Sequence, residues 1–133
     1  MPTKPAPRML HVLVVARSRE TIDGLHAYLG GAGVESHGTR TLADVGAPPA
    51  ATTAVVVFPD DFEVTAVVPV LRSLRAARPR LRIVLVTGAP QRFQPALAPD
   101  SRSLPPIVLP RPAFGWTILD AVRILPVRNL PEP

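Results

Sequence analysis

Leu10-His11-Val12-Leu13-Val14-Val15-Ala16, Thr53-Ala54-Val55-Val56-Val57-Phe58 and Leu81-Arg82-Ile83-Val84-Leu85-Val86 are three short, almost wholly apolar runs rich in β-branched residues. Each is the length of a strand. None alternates apolar with polar residues, so each reads as a strand buried on both faces, as in a parallel sheet. The segments between them carry helical signals. After the first run, Ser18 offers an N-cap and Glu20 an acid in the first turn, and Ile22, Leu25 and Leu29 recur at helical spacing. Gly30, Gly31 and Gly33 then supply left-handed conformations that end the helix. After the second run, Pro59-Asp60-Asp61 closes the strand and a helix is predicted to about Arg78, with Val67, Leu71 and Leu74 as its buried stripe. Pro69 removes one backbone donor inside it and predicts a kink or restart. Asp60 and Asp61 read as turn and helix-start residues that cap orphan amides.

The remaining segments are weaker. Val34 to Thr41 reads as a polar edge strand, and Leu42 to Val45 allows one helical turn before Pro48-Pro49. The second helix is therefore expected to be short or missing. Ala89 to Pro106 is rich in proline and loops, with room for a short helix from Gln91 to Leu97. Ile107-Val108-Leu109 forms a last strand. After Pro110-Arg111-Pro112, Trp116, Leu119, Val122 and Arg123 to Leu125 lie on an amphipathic helix. Strands alternating with helices imply right-handed crossovers and a doubly wound, five-stranded parallel α/β sheet of flavodoxin-like order 2-1-3-4-5.

The chain has 133 residues, enough for one core, and 47% of them are hydrophobic. Residues 1–8 read as a flexible arm, 9–125 as the domain, and 126–133 as a proline-rich tail or the start of a linker. With no cysteine, disulfides, thiolate metal sites and cysteine nucleophiles are excluded. No signal peptide or run of about 18 apolar residues is visible, so a cytoplasmic protein without membrane partners is expected. The net charge is +5. Arg72, Arg75, Arg78, Arg80 and Arg82 are the densest basic cluster, but without interleaved aromatics or a helix-turn-helix pattern they read as a solvated face, not a nucleic-acid surface. His11, His26 and His37 lack metal-ligand spacing, and no serine sits in a nucleophile elbow. No cofactor and no catalytic group is expected, and the chain does not read as an enzyme.

In the predicted fold, ligands bind where the strands end, here at Ala16-Arg17, Phe58-Pro59-Asp60, Thr87 and Pro110-Arg111. These ends, with Val84-Leu85-Val86-Thr87-Gly88, Val70 to Arg75 followed by Pro79, and Pro110 to Phe114 followed by Leu119 to Arg123, resemble the receiver domain of bacterial response regulators over about residues 9 to 125. The resemblance implies a phosphoacceptor aspartate at the end of the third strand, two acids after the first strand to hold Mg²⁺, a Thr or Ser after the fourth, and a Lys-Pro turn with a cis peptide bond. This chain departs from the pattern. The paired acids read Ala16 and Arg17, the phosphoacceptor falls on Phe58, or on Pro59 if the register slips by one, and the lysine reads Arg111. Thr87 is kept, and the switch aromatic reads Val108. The resemblance thus implies a pseudo-receiver with weak or absent Mg²⁺ binding. Its expected role is phosphorylation-independent signalling through a protein partner or self-association, by a face made of Phe93, Val108, Arg111, Phe114 and Trp116. Two alternatives stand beside it. Arg17, Thr87 and Arg111 converging on a small anion or nucleotide would make a ligand-responsive domain, and Asp60 acting as acceptor would make an atypical receiver.

Overall fold

In the computed structural model, which describes residues 10–124, the three apolar runs form the centre of a five-stranded parallel sheet ordered β2-β1-β3-β4-β5. The strands are β1 (His11–Val15), β2 (Glu35–Thr39), β3 (Ala54–Val57), β4 (Arg82–Val86) and β5 (Ile107–Leu109). The helices are α1 (Arg19–Gly31), α2 (Val64–Ala77), α3 (Gln94–Leu97) and α4 (Gly115–Arg123). The arm and tail expected from sequence lie outside the described residues.

Side chains alternate across each central strand, and both sets are buried. Val12, Val14, Ala54, Val56, Val84 and Val86 pack under α1 and α4, against Leu25, Leu29, Ile118 and Val122. Leu13, Val15, Val55, Val57, Ile83 and Leu85 pack under α2 and α3, against Val67, Leu71, Leu74 and Phe93. Each fully buried Val or Leu contributes about 1.5–3 kcal/mol, so the two faces hold the sheet between helical layers mainly through aliphatic side chains, with Phe93 the one fully buried aromatic among the described residues. Only β2 is polar: it is an edge strand paired with β1 on one side, and none of its five residues is buried.

The connections follow local chemistry. The Ser18 hydroxyl accepts from the Thr21 N–H at 3.2 Å and starts α1. Gly30 and Gly31 remain helical, and Gly33 alone takes positive φ, at 83°, where the chain turns into β2. Between β2 and β3 a 3-10 turn (Leu42–Gly46) replaces a full helix and buries Val45. Pro48 and Pro49 stop it there. Helix α2 runs unbroken through Pro69, which is exposed. The Arg111–Pro112 bond is cis, as the resemblance implied.

The arginine cluster departs from the expected solvated face. Arg75 and Arg82 are both buried. Arg75 Nη1 donates to the carbonyls of Ala96 at 3.1 Å and Ala98 at 2.7 Å, because the segment around α3 folds over the end of its side chain. Arg82 Nη2 donates to the Ile124 carbonyl at 3.2 Å, and burial holds its pKa below the usual guanidinium value. Arg78 Nη2 donates to the Thr52 carbonyl at 2.8 Å and ties down the approach to β3. These guanidinium groups serve loop carbonyls that no regular ladder reaches. Arg72 and Arg80 are exposed as expected.

Gly38 on β2 lies directly under Ile22 of α1, in space that a Cβ would have to share with the Ile22 side chain. Gly38→Ala overpacks this contact. Urea unfolding is expected to show a loss of about 1–3 kcal/mol, with Ile22→Ala in the same chain recovering part of it.

Candidate functional site

The carboxyl ends of the central strands meet in one crevice, as in other doubly wound sheets. Backbone bonds align them. The Phe58 N–H donates to the Val15 carbonyl at 2.9 Å, and the Thr87 N–H to the Leu109 carbonyl at 3.0 Å. A 3-10 turn (Pro59–Asp61) follows β3 and lifts Asp60 over the end of β4.

Asp60 is the hub of the crevice. Its Oδ1 accepts from the Thr87 hydroxyl at 2.5 Å, and its Oδ2 accepts from the Gly88 N–H at 2.9 Å. Arg111 Nη1 lies 3.6 Å from the same Oδ2. Thr87 is buried, and its Oγ1 also accepts from the Ala89 N–H at 3.0 Å. Burial alone would raise the Asp60 pKa. The hydrogen bonds from Thr87 and Gly88 and the charge of Arg111 outweigh it and hold the carboxyl below its ordinary value. The short bond to Thr87 is of the charge-assisted kind, whereas the Arg111 pair, with the arginine side chain 45% exposed, adds little.

The other predicted pocket residues sit around this hub in different roles. Ala16 is fully buried beneath it. Arg17 is exposed, and its guanidinium lies over the Phe62 ring at 5.3 Å and does not join Thr87 and Arg111 around Asp60. The Arg17 N–H donates to Asp61 Oδ2 at 2.9 Å. Phe58 is half-buried against the α1–α4 core, and Pro59 is buried. Neither Asp60 nor Asp61 caps α2, contrary to the sequence reading. The 3-10 turn intervenes, Glu63 takes the N-cap position, and both carboxylates turn to strand ends instead.

A hard divalent cation needs several oxygen ligands. Among the described residues no three His, Cys, Asp or Glu side chains come together to hold a metal ion. Ala16 offers no side-chain oxygen, Phe58 none, and both oxygens of Asp60 are already accepting hydrogen bonds. This donor set does not fit Mg²⁺.

The expected docking face is brought together only in part. Phe93 is fully buried, because the turn Pro90–Phe93 folds it under α2, and it belongs to the core. Val108 is half-buried in the edge strand, in register with Leu85. Phe114 and Trp116, at the start of α4, are 62% and 57% exposed, with their rings parallel and 6.0 Å apart. Arg111 lies just before them in the same turn. Tyr28 of α1, 42% exposed, packs its ring on the backbone of Gly115 between the two aromatics. It falls on the exposed side of the α1 stripe, and its place beside α4 is a tertiary fact with no local signal. Glu20, Gly24, Tyr28, Phe58, Pro112 and Ile118 line a groove of about 440 Å³ next to this patch.

No family model matches the chain, and no curated protein matches it. Solved structures do. A response regulator receiver protein from Sinorhizobium medicae superposes with a TM-score of 0.66 at 21% identity, covering 86% of this chain and 91% of the other. A CheY-like receiver domain protein from Methanospirillum hungatei gives 0.65 at 16% identity with the same coverage. A protein from Burkholderia pseudomallei described as pilus assembly-related gives 0.65 at 16% identity, covering 96% of this chain and 100% of the other. At these identities the likeness is one of fold, and the fold is that of receiver domains.

Because the folded pKa of Asp60 is lowered, its bonds contribute stability above its unfolded value, near 3.8, and that contribution is lost as pH falls through the folded value. Denaturant unfolding of the parent chain and Asp60→Asn is expected to show the parent more stable at neutral pH. The gap should narrow as pH drops through 3.8. A gap that does not vary with pH would show that the ionised carboxylate contributes nothing.

Proposed function

We propose that this chain is a phosphorylation-independent signalling module of receiver fold that works in the cytoplasm by binding a protein partner or a second copy of itself. The observation that carries the reading is the exposed aromatic patch of Phe114 and Trp116, stacked beside Tyr28 at the start of α4. Two rings left mostly in solvent at the end of a well-filled core add little to the monomer. Large, rigid aromatics of this kind anchor interfaces, because they bury much area at small cost in side-chain entropy.

Phosphorylation independence is supported by the strand ends. Phe58 and Pro59 have no oxygen nucleophile, and Asp60 is engaged through both oxygens with Thr87, Gly88 and Arg111. The same engagement weakens the alternative of Asp60 as an atypical phosphoacceptor, because attack would require breaking the bonds that keep it ionised. It also weakens the ligand-responsive alternative in the parent chain, since Thr87 and Arg111 already share an anion.

Trp116 is the single tryptophan, so its fluorescence reads the patch directly. In dilute protein its emission should be red-shifted and open to acrylamide quenching. As self-association proceeds, or a partner is added, it should shift to the blue and become protected. The double variant Phe114→Ala with Trp116→Ala should change stability by no more than about 0.5 kcal/mol, as for surface positions, and should abolish association measured by sedimentation. Undiminished association in that variant would place the interface elsewhere.

A further inference from the structure

Three donors from two separate strand ends converge on one point above the sheet. They are the Thr87 hydroxyl and the Gly88 N–H after β4, and the Arg111 guanidinium after β5. A hydroxyl, a backbone amide and a cation aimed at one position make an anion cradle. The anion inside it belongs to the chain. We infer that Asp60 is a built-in ligand that fills this cradle and keeps it closed to free tetrahedral oxyanions such as inorganic phosphate.

The geometry supports a ligand role in two ways. Thr87 has one hydroxyl proton, and it goes to Asp60 Oδ1, which leaves the oxygen lone pairs to accept from the Ala89 N–H. The carboxylate therefore fixes the orientation of Thr87 and, through it, the start of the loop after β4. Arg111 and Asp60 also balance in charge, so the filled cradle presents no net positive charge to solution. Tethering does the rest. A carboxylate held on a short 3-10 turn acts at an effective concentration above the millimolar range typical of flexible linkers. A free anion must compete against that effective concentration.

Removing the carboxylate reverses each of these conditions. The hydroxyl and the amide lose their acceptor, and Arg111 loses its counter-charge, while the strand ends that carry these donors stay in place and an incoming anion can orient them again. An external dianion is then the complement of the site. The cradle is defined by the strand ends alone and is independent of any partner at Trp116, so it stands or falls apart from the docking proposal.

The test is an amide NMR titration with inorganic phosphate on the parent chain, Asp60→Ala and Asp60→Asn. The parent should show no saturable shift at Thr87, Gly88 or Arg111. Asp60→Ala should show saturable shifts at those residues, with apparent affinity raised about tenfold or more over the parent, and adding Thr87→Val should remove them. Asp60→Asn, which keeps an acceptor of the same shape without the charge, should fall between the two and carries the test if the alanine variant does not fold. In the parent itself, the side-chain carboxyl carbon of Asp60 should not respond to phosphate. Saturable phosphate binding by the parent at this site overturns the inference. So do folded variants that gain no affinity, or that gain it at residues other than Thr87, Gly88 and Arg111.

Discussion

Burial of the three central strands on both faces is the constraint from which the rest of the structure follows. Val12 to Val15, Ala54 to Val57 and Ile83 to Val86 leave almost no surface to water on either side. A sheet of this kind needs helical cover above and below, and parallel strands need crossovers to reach the next start. Those two needs are met by the same helices. The crossovers carry each chain end back to the same edge, so the carboxyl ends of β1, β3, β4 and β5 fall side by side. Residues far apart in sequence, such as Asp60, Thr87 and Arg111, become neighbours for that reason.

What occupies those strand ends sets the character of this domain. The first strand ends in Ala16 and Arg17, and the third in Phe58 and Pro59. Of the two acids that remain, Asp61 accepts from the Arg17 N–H, and Asp60 forms a clamp, hydrogen-bonded to the end of β4 with the Arg111 guanidinium after β5 paired at 3.6 Å. A crevice that in a doubly wound fold is open to ligands is here closed by the chain's own carboxylate. Exposed chemistry shifts instead to the turn after β5, where Arg111 takes part in the clamp and Phe114 and Trp116 stand in solvent a few residues on. The clamp and the aromatic patch thus share one short segment, including the cis bond before Pro112.

The sequence made the layout legible because the features that decide it are local. Unbroken apolar runs mark doubly buried strands, Ser18 marks a helix start, and Pro48-Pro49 marks the helix that never forms. The resemblance at the strand ends added the pocket positions and the cis turn. What stayed illegible depends on long-range packing. Asp60 looks like any acid before a helix, and its acceptor role rests on Thr87, 27 residues on. Arg75 sits in a three-residue arginine repeat that reads as solvated, yet the carbonyls of Ala96 and Ala98 draw it inward. Phe93 lies among prolines and polar residues that point to a surface loop, while the fold turns it into the core. Tyr28 joins the aromatic patch only because Gly115 lets its ring approach the α4 backbone.

In the proposed function the strand-end crevice does not accept a phosphoryl group. An amide NMR titration with Mg²⁺ followed by beryllofluoride, a mimic of a bound phosphoryl group, tests this most directly. Spectra unchanged at Asp60, Thr87 and Arg111 through both additions are expected. Specific, saturable shifts at those residues would contradict this proposal and would mark Asp60 as the acceptor of a working phosphorylation switch.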